Sequence, residues 1–343
     1  MLKNLQALRA YAALSVVFFH FSLVPASAMP WHFGSFGVDL FFVLSGFIIA
    51  YSATRDSRHF LVHRLIRVLP TYWIVTTLGA AICMLGMPWL DALGWWGQSL
   101  AFLTRADGRP PIIMVGWTLV YELAFYLLYA ALLTAGRKVA PFLAIALLAA
   151  LAFALPLLPV TLPAASVVLR PWPLLIEFAF GIAIFLLTKP MATPGRAGRG
   201  AGAALVVIGL ALLYVFDGSV RDLKGLAQDS QRAFALGLPA AMVVLGLVLI
   251  EKAGWALKSR IVLALGAASY AMYLLHPPVF FFVWGMKPGP FQVRLEIFTI
   301  LTVATVLLSL GFYYAIESPL LRLLRRWFTH DGPPAVVMGA KAD

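Results

Sequence analysis

LRAYAALSVVFFHF, residues 8–21, decides how the rest of the chain is read. The run is apolar enough to lie in a bilayer, yet it carries a permanent cation, Arg9, near its start and a titratable imidazole, His20, near its end. At 3.6 residues per turn their spacing is about three turns plus 20°. Both side chains therefore share one helix face, roughly 16 Å apart along the axis. Ionisable groups in hydrocarbon face a cavity or a partner, so the pair predicts a polar track through the membrane. A snorkelling Arg and a His hydrogen-bonded within a bundle account for the same residues without chemistry.

The composition of the whole chain agrees with a membrane setting. Of 343 residues, 62% are hydrophobic and 12% charged, with a formal net charge of +12. Soluble domains carry about 25% charged residues, so the chain reads as an all-α polytopic integral membrane protein. Its Lys and Arg stand in short blocks between apolar runs, which is a topological signal and not a nucleic-acid surface; no nucleic-acid partner is expected. The single cysteine, Cys83, lies in an apolar run. That rules out a disulfide framework or thiolate metal cluster, and Cys83 reads as a small buried side chain. No small-x-small cleavage pattern follows the first apolar core, which makes it a retained anchor helix.

A spanning helix needs about 20 mostly apolar residues. Ten candidates stand at 6–24, 36–53, 68–87, 115–135, 141–158, 171–188, 202–217, 233–250, 261–283 and 294–316, with Pro156, Pro159 and Pro163 crowding the end of the fifth. Trp95–Leu103 is short and amphipathic, suited to an interface. With the N-terminus inside, 18 of the 26 Lys and Arg fall on cytoplasmic segments. Acids such as Asp91, Asp107, Asp217, Asp222 and Asp229 offset several of the rest. That bias predicts ten spans with both termini cytoplasmic. Residues 1–328 read as one membrane domain and 329–343 as a short disordered cytoplasmic tail.

Depth then sorts the polar residues. His20, Asp39 (at the mouth of GVDLFFVLSGFII), Glu122 (in GWTLVYELAFYLLY), Glu177 (in PWPLLIEFAFGI) and His276 (in SYAMYLLHPPVF) fall in the outer half. Trp117 and Tyr121 fit an interfacial aromatic belt. The Pro pair after His276 is expected to break its helix and free carbonyls toward a cavity. The two glutamates fit a proton relay, a clamp on sugar hydroxyls, or pairing with His20 or His276. Ser45 and Gly46 lie near mid-membrane, where Ser-Gly also serves close helix packing. On the cytoplasmic side, RHFLVHRLIRVLPTYW brings Arg64 and Arg67 one turn apart. Both can hold one phosphate-bearing anion, and both also satisfy ordinary positive-inside charge and anionic-lipid contact. Glu317, in AIESPLLRLLRR, lies within reach of Arg64 or Arg67 and reads as a structural ion-pair partner.

These segments, in order over residues 5 to about 320, resemble the membrane-bound acyltransferase family 3. GWTLVYE and HRLIRVLPTYW look most like the exopolysaccharide O-acetyltransferases of the succinoglycan and xanthan type. The resemblance implies acyl transfer from acetyl-CoA, as co-substrate and without a metal, to a carbohydrate or lipid-linked oligosaccharide hydroxyl at the bacterial cytoplasmic (inner) membrane. Carried over by motif, His20 is the catalytic base, Arg9 belongs to the same essential pair, Arg64 and Arg67 contact the CoA phosphates, and Ser45 and Gly46 lie by the acyl path. Glu122 joins the catalytic set beside His20. Asp39, Trp117, Glu177 and His276 are expected at the acceptor. Some members carry a fused extracytoplasmic esterase-like domain; the short stretch after the last span predicts a stand-alone enzyme. A covalent acyl-enzyme on His20 or Ser45 is the alternative to direct transfer. A flippase for lipid-linked saccharides is the alternative class, though it usually carries inverted repeats, which this sequence does not display. A polyprenol-phosphate glycosyltransferase would need a large acidic outer loop.

Overall fold

The computed structural model of the chain describes residues 2–103, 110–154, 172–221, 226–281, 283 and 285–329. Among these there are helices and no strand. Asp107, Pro156, Pro159, Pro163, Asp222, the Asp229 side chain and the tail after Thr329 lie outside the described residues.

The opening stretch sits within α1 (Lys3–Leu23). α2 (Gly37–Ala53), α3 (Phe60–Cys83) and the short α4 (Trp89–Leu100) follow. The middle of the chain forms α5 (Trp117–Leu132), α6 (Ala140–Ala154), α7 (Leu175–Thr188) and α8 (Gly195–Arg221). After α9 (Leu226–Ala235) and α10 (Gly237–Lys252) come α11 (Arg260–Ala267) and α12 (Ser269–Phe281). α13 (Phe291–Phe312) passes through a π-helical stretch, Tyr313–Glu317, into α14 (Ser318–Thr329). Among the described residues, five helices are long and apolar enough to cross a membrane, six if the bent pair α11–α12 is one span. Large apolar side chains such as Val207, Ile300 and Leu307 are exposed on the outside of the bundle, a surface suited to lipid.

Three helices depart from expectation. α3 begins well before residue 68 and runs through Pro70. Spanning helices tolerate Pro where neighbouring groups take up the freed carbonyl, so Arg64 and Arg67 ride on the helix and not on a loop. The ninth span bends by 67° at Ala268, and α12 continues through Pro277 and Pro278. The expected break after His276 is therefore displaced toward the chain start. The bend lets α11 lie on α1, where a Cβ at Gly266 would come within 2.0 Å of the Gln6 carbonyl oxygen. Lastly, the tenth span does not stop at residue 316: Phe291–Thr329 is one run of 39 residues. At 1.5 Å per residue it is about 58 Å long, against a hydrocarbon core of about 30 Å, so its last turns project beyond the lipid.

Small residues set the helix spacing, as they do where lipid supplies no hydrophobic drive. At the α2–α7 contact, a Cβ on Gly46 would stand 2.0 Å from the Phe178 carbonyl oxygen, and one on Gly181 would stand 2.0 Å from that of Val43. α8 and α10 meet in the same way at Gly202 and Gly246. The start of α1 is fixed by charge: the Glu251 carboxylate accepts the backbone N–H groups of Lys3 and Asn4, both at 2.8 Å. It satisfies two of the donors that a helix N-terminus leaves open and complements the helix dipole.

Gly46→Ala is expected to lower the thermal midpoint of the detergent-purified protein, since overpacking against backbone costs about 1–3 kcal/mol. Gly94→Ala, with nothing within 4 Å of the added Cβ, serves as the control. Equal midpoints for the two variants would show that the α2–α7 approach is not tight.

Candidate active site

α1, α2, α3, α5, α12 and α14 enclose a cavity of about 930 Å³, at the large end of the range for ligand pockets. Ser45 and Glu122 meet on its wall: the Ser45 hydroxyl donates to Glu122 Oε1 at 2.9 Å. Tyr126, one turn further along α5, donates to the same oxygen. Arg9 and Arg64 line the cavity and make no ion pair among the described residues. Arg64 lies over the Phe60 ring at 5.8 Å, and its buried Nε has no hydrogen-bond partner there. Arg67 differs. Its Nη1 reaches Glu317 Oε1 at 2.5 Å and its guanidinium stands 5.5 Å from the Tyr270 ring. The π-helical stretch is what turns the fully buried Glu317 toward α3. Wide turns of this kind recur at functional sites.

At the end nearest the two histidines the cavity is lined by Phe41, Thr118 and Tyr273. The Phe41 and Tyr273 rings meet edge to face at 5.9 Å, and the Thr118 and Tyr273 hydroxyls are hydrogen-bonded at 2.9 Å. Behind this layer stand the two histidines. His276 Nε2 lies 3.2 Å from His20 Nδ1, and the His276 ring packs 5.9 Å from that of Tyr273. Both rings have a carbonyl oxygen at Nδ1: Val16 O at 3.0 Å for His20 and Met272 O at 3.3 Å for His276. A carbonyl can only accept, so each neutral ring carries its proton on Nδ1. The His276 Nε2 lone pair then faces the His20 Nδ1–H, and the lone pair of His20 Nε2 is left available as a base. Arg9 and His20 are thus divided between two compartments: one faces the cavity, the other the histidine pair beyond that layer.

Asp39 and Glu177 lie in neither. Asp39 is fully buried and takes both ends of the Arg232 guanidinium, with Nη2 at 2.6 Å and Nε at 3.1 Å. Arg232 also donates to the Ser35 carbonyl oxygen at 3.0 Å. Asp217 accepts the Gly34 N–H at 2.8 Å and the Ser35 hydroxyl. Glu177 is fully buried with its carboxyl beside that of Asp39. Gly237 leaves room for it: a Cβ there would come within 2.8 Å of its Cγ. Trp117 packs edge-on to Phe42 and Tyr121. At the opposite end of the cavity from the histidines, Asp56 lies 3.4 Å from His59 and 3.7 Å from His63. Burial pushes its carboxyl up. The backbone N–H groups of His59 and Arg58 and the two imidazoles outweigh that and hold it below the usual carboxylate range. Sequence reasoning missed Tyr126, Tyr270, Tyr273 and Arg232. The i, i+4 spacing to Glu122 could have revealed Tyr126. Among the described residues no three His, Cys, Asp or Glu are grouped to hold a metal.

Residues 2–314 match the family described as the acyltransferase domain of the acyltransferase 3 type. The chain is 28% identical over 302 residues to ExoZ, the exopolysaccharide production protein of Rhizobium meliloti (strain 1021), covering 84% of this chain and 90% of the relative. It is 26% identical over 370 aligned positions to the acyltransferase MdmB of Streptomyces mycarofaciens, covering 95% and 93%. YrhL of Bacillus subtilis (strain 168), provisionally named a peptidoglycan O-acetyltransferase, is 31% identical over 164 residues, 40% of this chain and 24% of YrhL. No solved structure matches the chain.

Arg232→Met strands the buried Asp39 charge and is expected to destabilise the protein by about 3–5 kcal/mol. Adding Asp39→Leu to it should recover much of that loss. A double-mutant cycle on thermal unfolding reads the coupling, and near-additive losses would mean that the pair does not hold α2 to α9.

Proposed function

We propose, from the premise that the chain belongs to acyltransferase family 3, that it moves an acetyl group from acetyl-CoA to a hydroxyl of an exported or cell-surface carbohydrate. It is an acyltransferase of the non-aminoacyl class in a multi-pass membrane setting. The observation that carries the finer reading is the cavity itself. It joins a cationic mouth, with Arg64 and Arg67, to a hydroxyl-and-carboxylate wall at Ser45, Glu122 and Tyr126. The printed names of ExoZ and YrhL support a carbohydrate acceptor. In this reading the chain crosses the bacterial inner membrane ten times with both ends in the cytoplasm. Each of the ten expected spans contains helix, and this topology puts 18 of the 26 Lys and Arg on the inner side, as the positive-inside rule requires.

The donor enters from the cytoplasm, where Arg64 and Arg67 take its phosphates as charge-assisted hydrogen bonds. The pantetheine arm follows the cavity past Ser45, and the thioester reaches the layer of Phe41 and Tyr273. Rotation of those two rings joins the donor compartment to the histidines. The acceptor hydroxyl, held from the outer side with the help of Trp117, gives its proton to His20 Nε2 as its oxygen attacks the thioester carbonyl carbon. The C–S bond breaks and the CoA sulfur leaves, taking up the proton. When His20 becomes an imidazolium, its Nδ1–H is held by His276 Nε2 and the Val16 carbonyl. A neutral imidazole thus orients the base, the task a carboxylate performs in a hydrolase triad. His276 is a positioning residue in this scheme. General-base help of this kind is worth about 10²–10⁴-fold. Arg9, free of an ion pair, offers donors to the oxygen that gains charge in the tetrahedral intermediate, with Glu122 as its counter-charge. Asp39 and Glu177 act at one remove, by fixing the outer end of α2.

With radiolabelled acetyl-CoA and purified protein, His20→Ala is expected to reduce transfer by at least about 10²-fold with an unchanged elution profile. His276→Phe should lower kcat while leaving the KM for acetyl-CoA unaltered; a purely structural role would change the yield of folded protein and not kcat. Arg64→Ala with Arg67→Ala should raise the KM for acetyl-CoA by an order of magnitude or more, at roughly 1.4 kcal/mol per tenfold. Unchanged donor affinity would remove both arginines from the donor site.

A further inference from the structure

The match to the acyltransferase family ends at residue 314, and α14 lies beyond it. The helix is nonetheless part of the cavity. Ser318, Leu321, Arg322, Arg325 and Thr329 all line it, and their spacing of three and four residues makes them a single helix face. The reverse face carries Leu323 and Trp327, 43% and 66% exposed, and suits a membrane interface. The two lining arginines are thus turned away from the bilayer, whereas Arg326 is exposed outside the cavity. Neither Arg322 nor Arg325 makes an ion pair among the described residues. Arg325 also has a buried Nε without a hydrogen-bond partner there. A cation held in a cavity with unspent donors is built for an anion that arrives from outside.

We infer that Arg322 and Arg325 form a subsite for the phosphate monoester at the far end of the acyl donor, the 3′-phosphate on the ribose of an acyl-CoA. The inference rests on the acyl-CoA reading of the cavity and adds to it a way to tell CoA from its dephosphorylated form. The order of charges along the cavity supports the assignment. Arg9 and Glu122 are on the inner wall. Arg64 and Arg67 come next on α3, and Arg67 is already partly neutralised by Glu317. Arg322 is exposed and Arg325 half-buried, so they form the outer rim. CoA is linear in the same sense, with the thioester at one end, the pyrophosphate part-way and the 3′-phosphate at the nucleotide end. With the thioester at the inner wall, the last anion falls at the rim. A phosphate monoester carries about −1.5 to −2 charges at neutral pH, which two arginines one turn apart can balance. Anionic lipid headgroups present similar chemistry, but the side of α14 opposite the cavity carries Leu323 and Trp327 and not these two cations.

The test compares kcat/KM for acetyl-CoA and for 3′-dephospho-acetyl-CoA, using the full-length protein in detergent free of anionic lipid. The unmodified enzyme is expected to prefer acetyl-CoA by about ten- to a hundred-fold, the range for charged hydrogen bonds. Arg322→Gln with Arg325→Gln should lose that preference by falling with acetyl-CoA alone, while Arg326→Gln keeps it. Equal use of both donors by the unmodified enzyme would overturn the assignment without any variant having to fold. So would a preference that survives the double substitution, or one that appears only after anionic lipid is restored. If the unmodified enzyme turns over neither thioester and binds neither, the acyl-CoA reading itself fails and the subsite falls with it. Turnover without discrimination removes the subsite alone.

Discussion

A charge taken out of water must find its complement within the protein, and the Arg67–Glu317 pair is where this chain depends on that most. The partners are 250 residues apart in sequence and 2.5 Å apart in space. Glu317 is fully buried. Breaking such a pair from one side leaves an uncompensated charge in a low-dielectric setting, so α3 and the end of α13 are held together by more than packing. The N-terminal end of α2 is tied in the same way by Asp39 to Arg232 on α9, and the start of α1 by Glu251 on α10. Between these three points the helices meet largely through glycines and apolar side chains, which resemble lipid too closely to choose partners by themselves, with polar contacts such as Ser45–Glu122, Thr118–Tyr273 and His20–His276 among them. The charges choose the partners and the small residues set the distance.

The same economy of charge separates the cavity from the histidine pair. On one side of Phe41, Thr118 and Tyr273 the walls are cationic and rich in hydroxyls; on the other stand two rings whose tautomers are fixed by main-chain carbonyls. A polyanionic donor is attracted to the first compartment. Among the described residues no cation contacts the two rings of the second. The aromatic layer is the low-polarity partition that lets both conditions hold within one bundle.

Much of the fold could be read from apolar run length alone, since every expected span contains helix, and the flanking basic blocks were equally visible. The failures fall where local rules meet tertiary context. The Pro277–Pro278 pair was expected to break its helix and does not, and the stretch before Pro70, read as a loop, is helix, because a bundle can satisfy what a proline frees. The Arg9–His20 spacing predicted a shared face, and depth along the chain put His276 in the outer half with His20. The partner it offered either ring was a glutamate; that the two rings touch each other across 256 residues was not among those readings. Arg232 carried no signal, for nothing near QRAF announces a buried partner 193 residues upstream. Arg322 and Arg325 were read as topological charge. Their spacing with Ser318 and Thr329 was in the sequence, but it gains meaning only once the helix is known to continue past residue 316.

The unbroken run from Phe291 to Thr329 also has a mechanical consequence. A rod about 58 Å long both crosses the lipid and, through its last three turns, roofs the cavity. Rod and roof share one axis. A thinner bilayer makes a spanning helix lean further, and here the roof must lean with it. The wall of the cavity and the span of the bilayer are thus one continuous element, and neither can shift without the other.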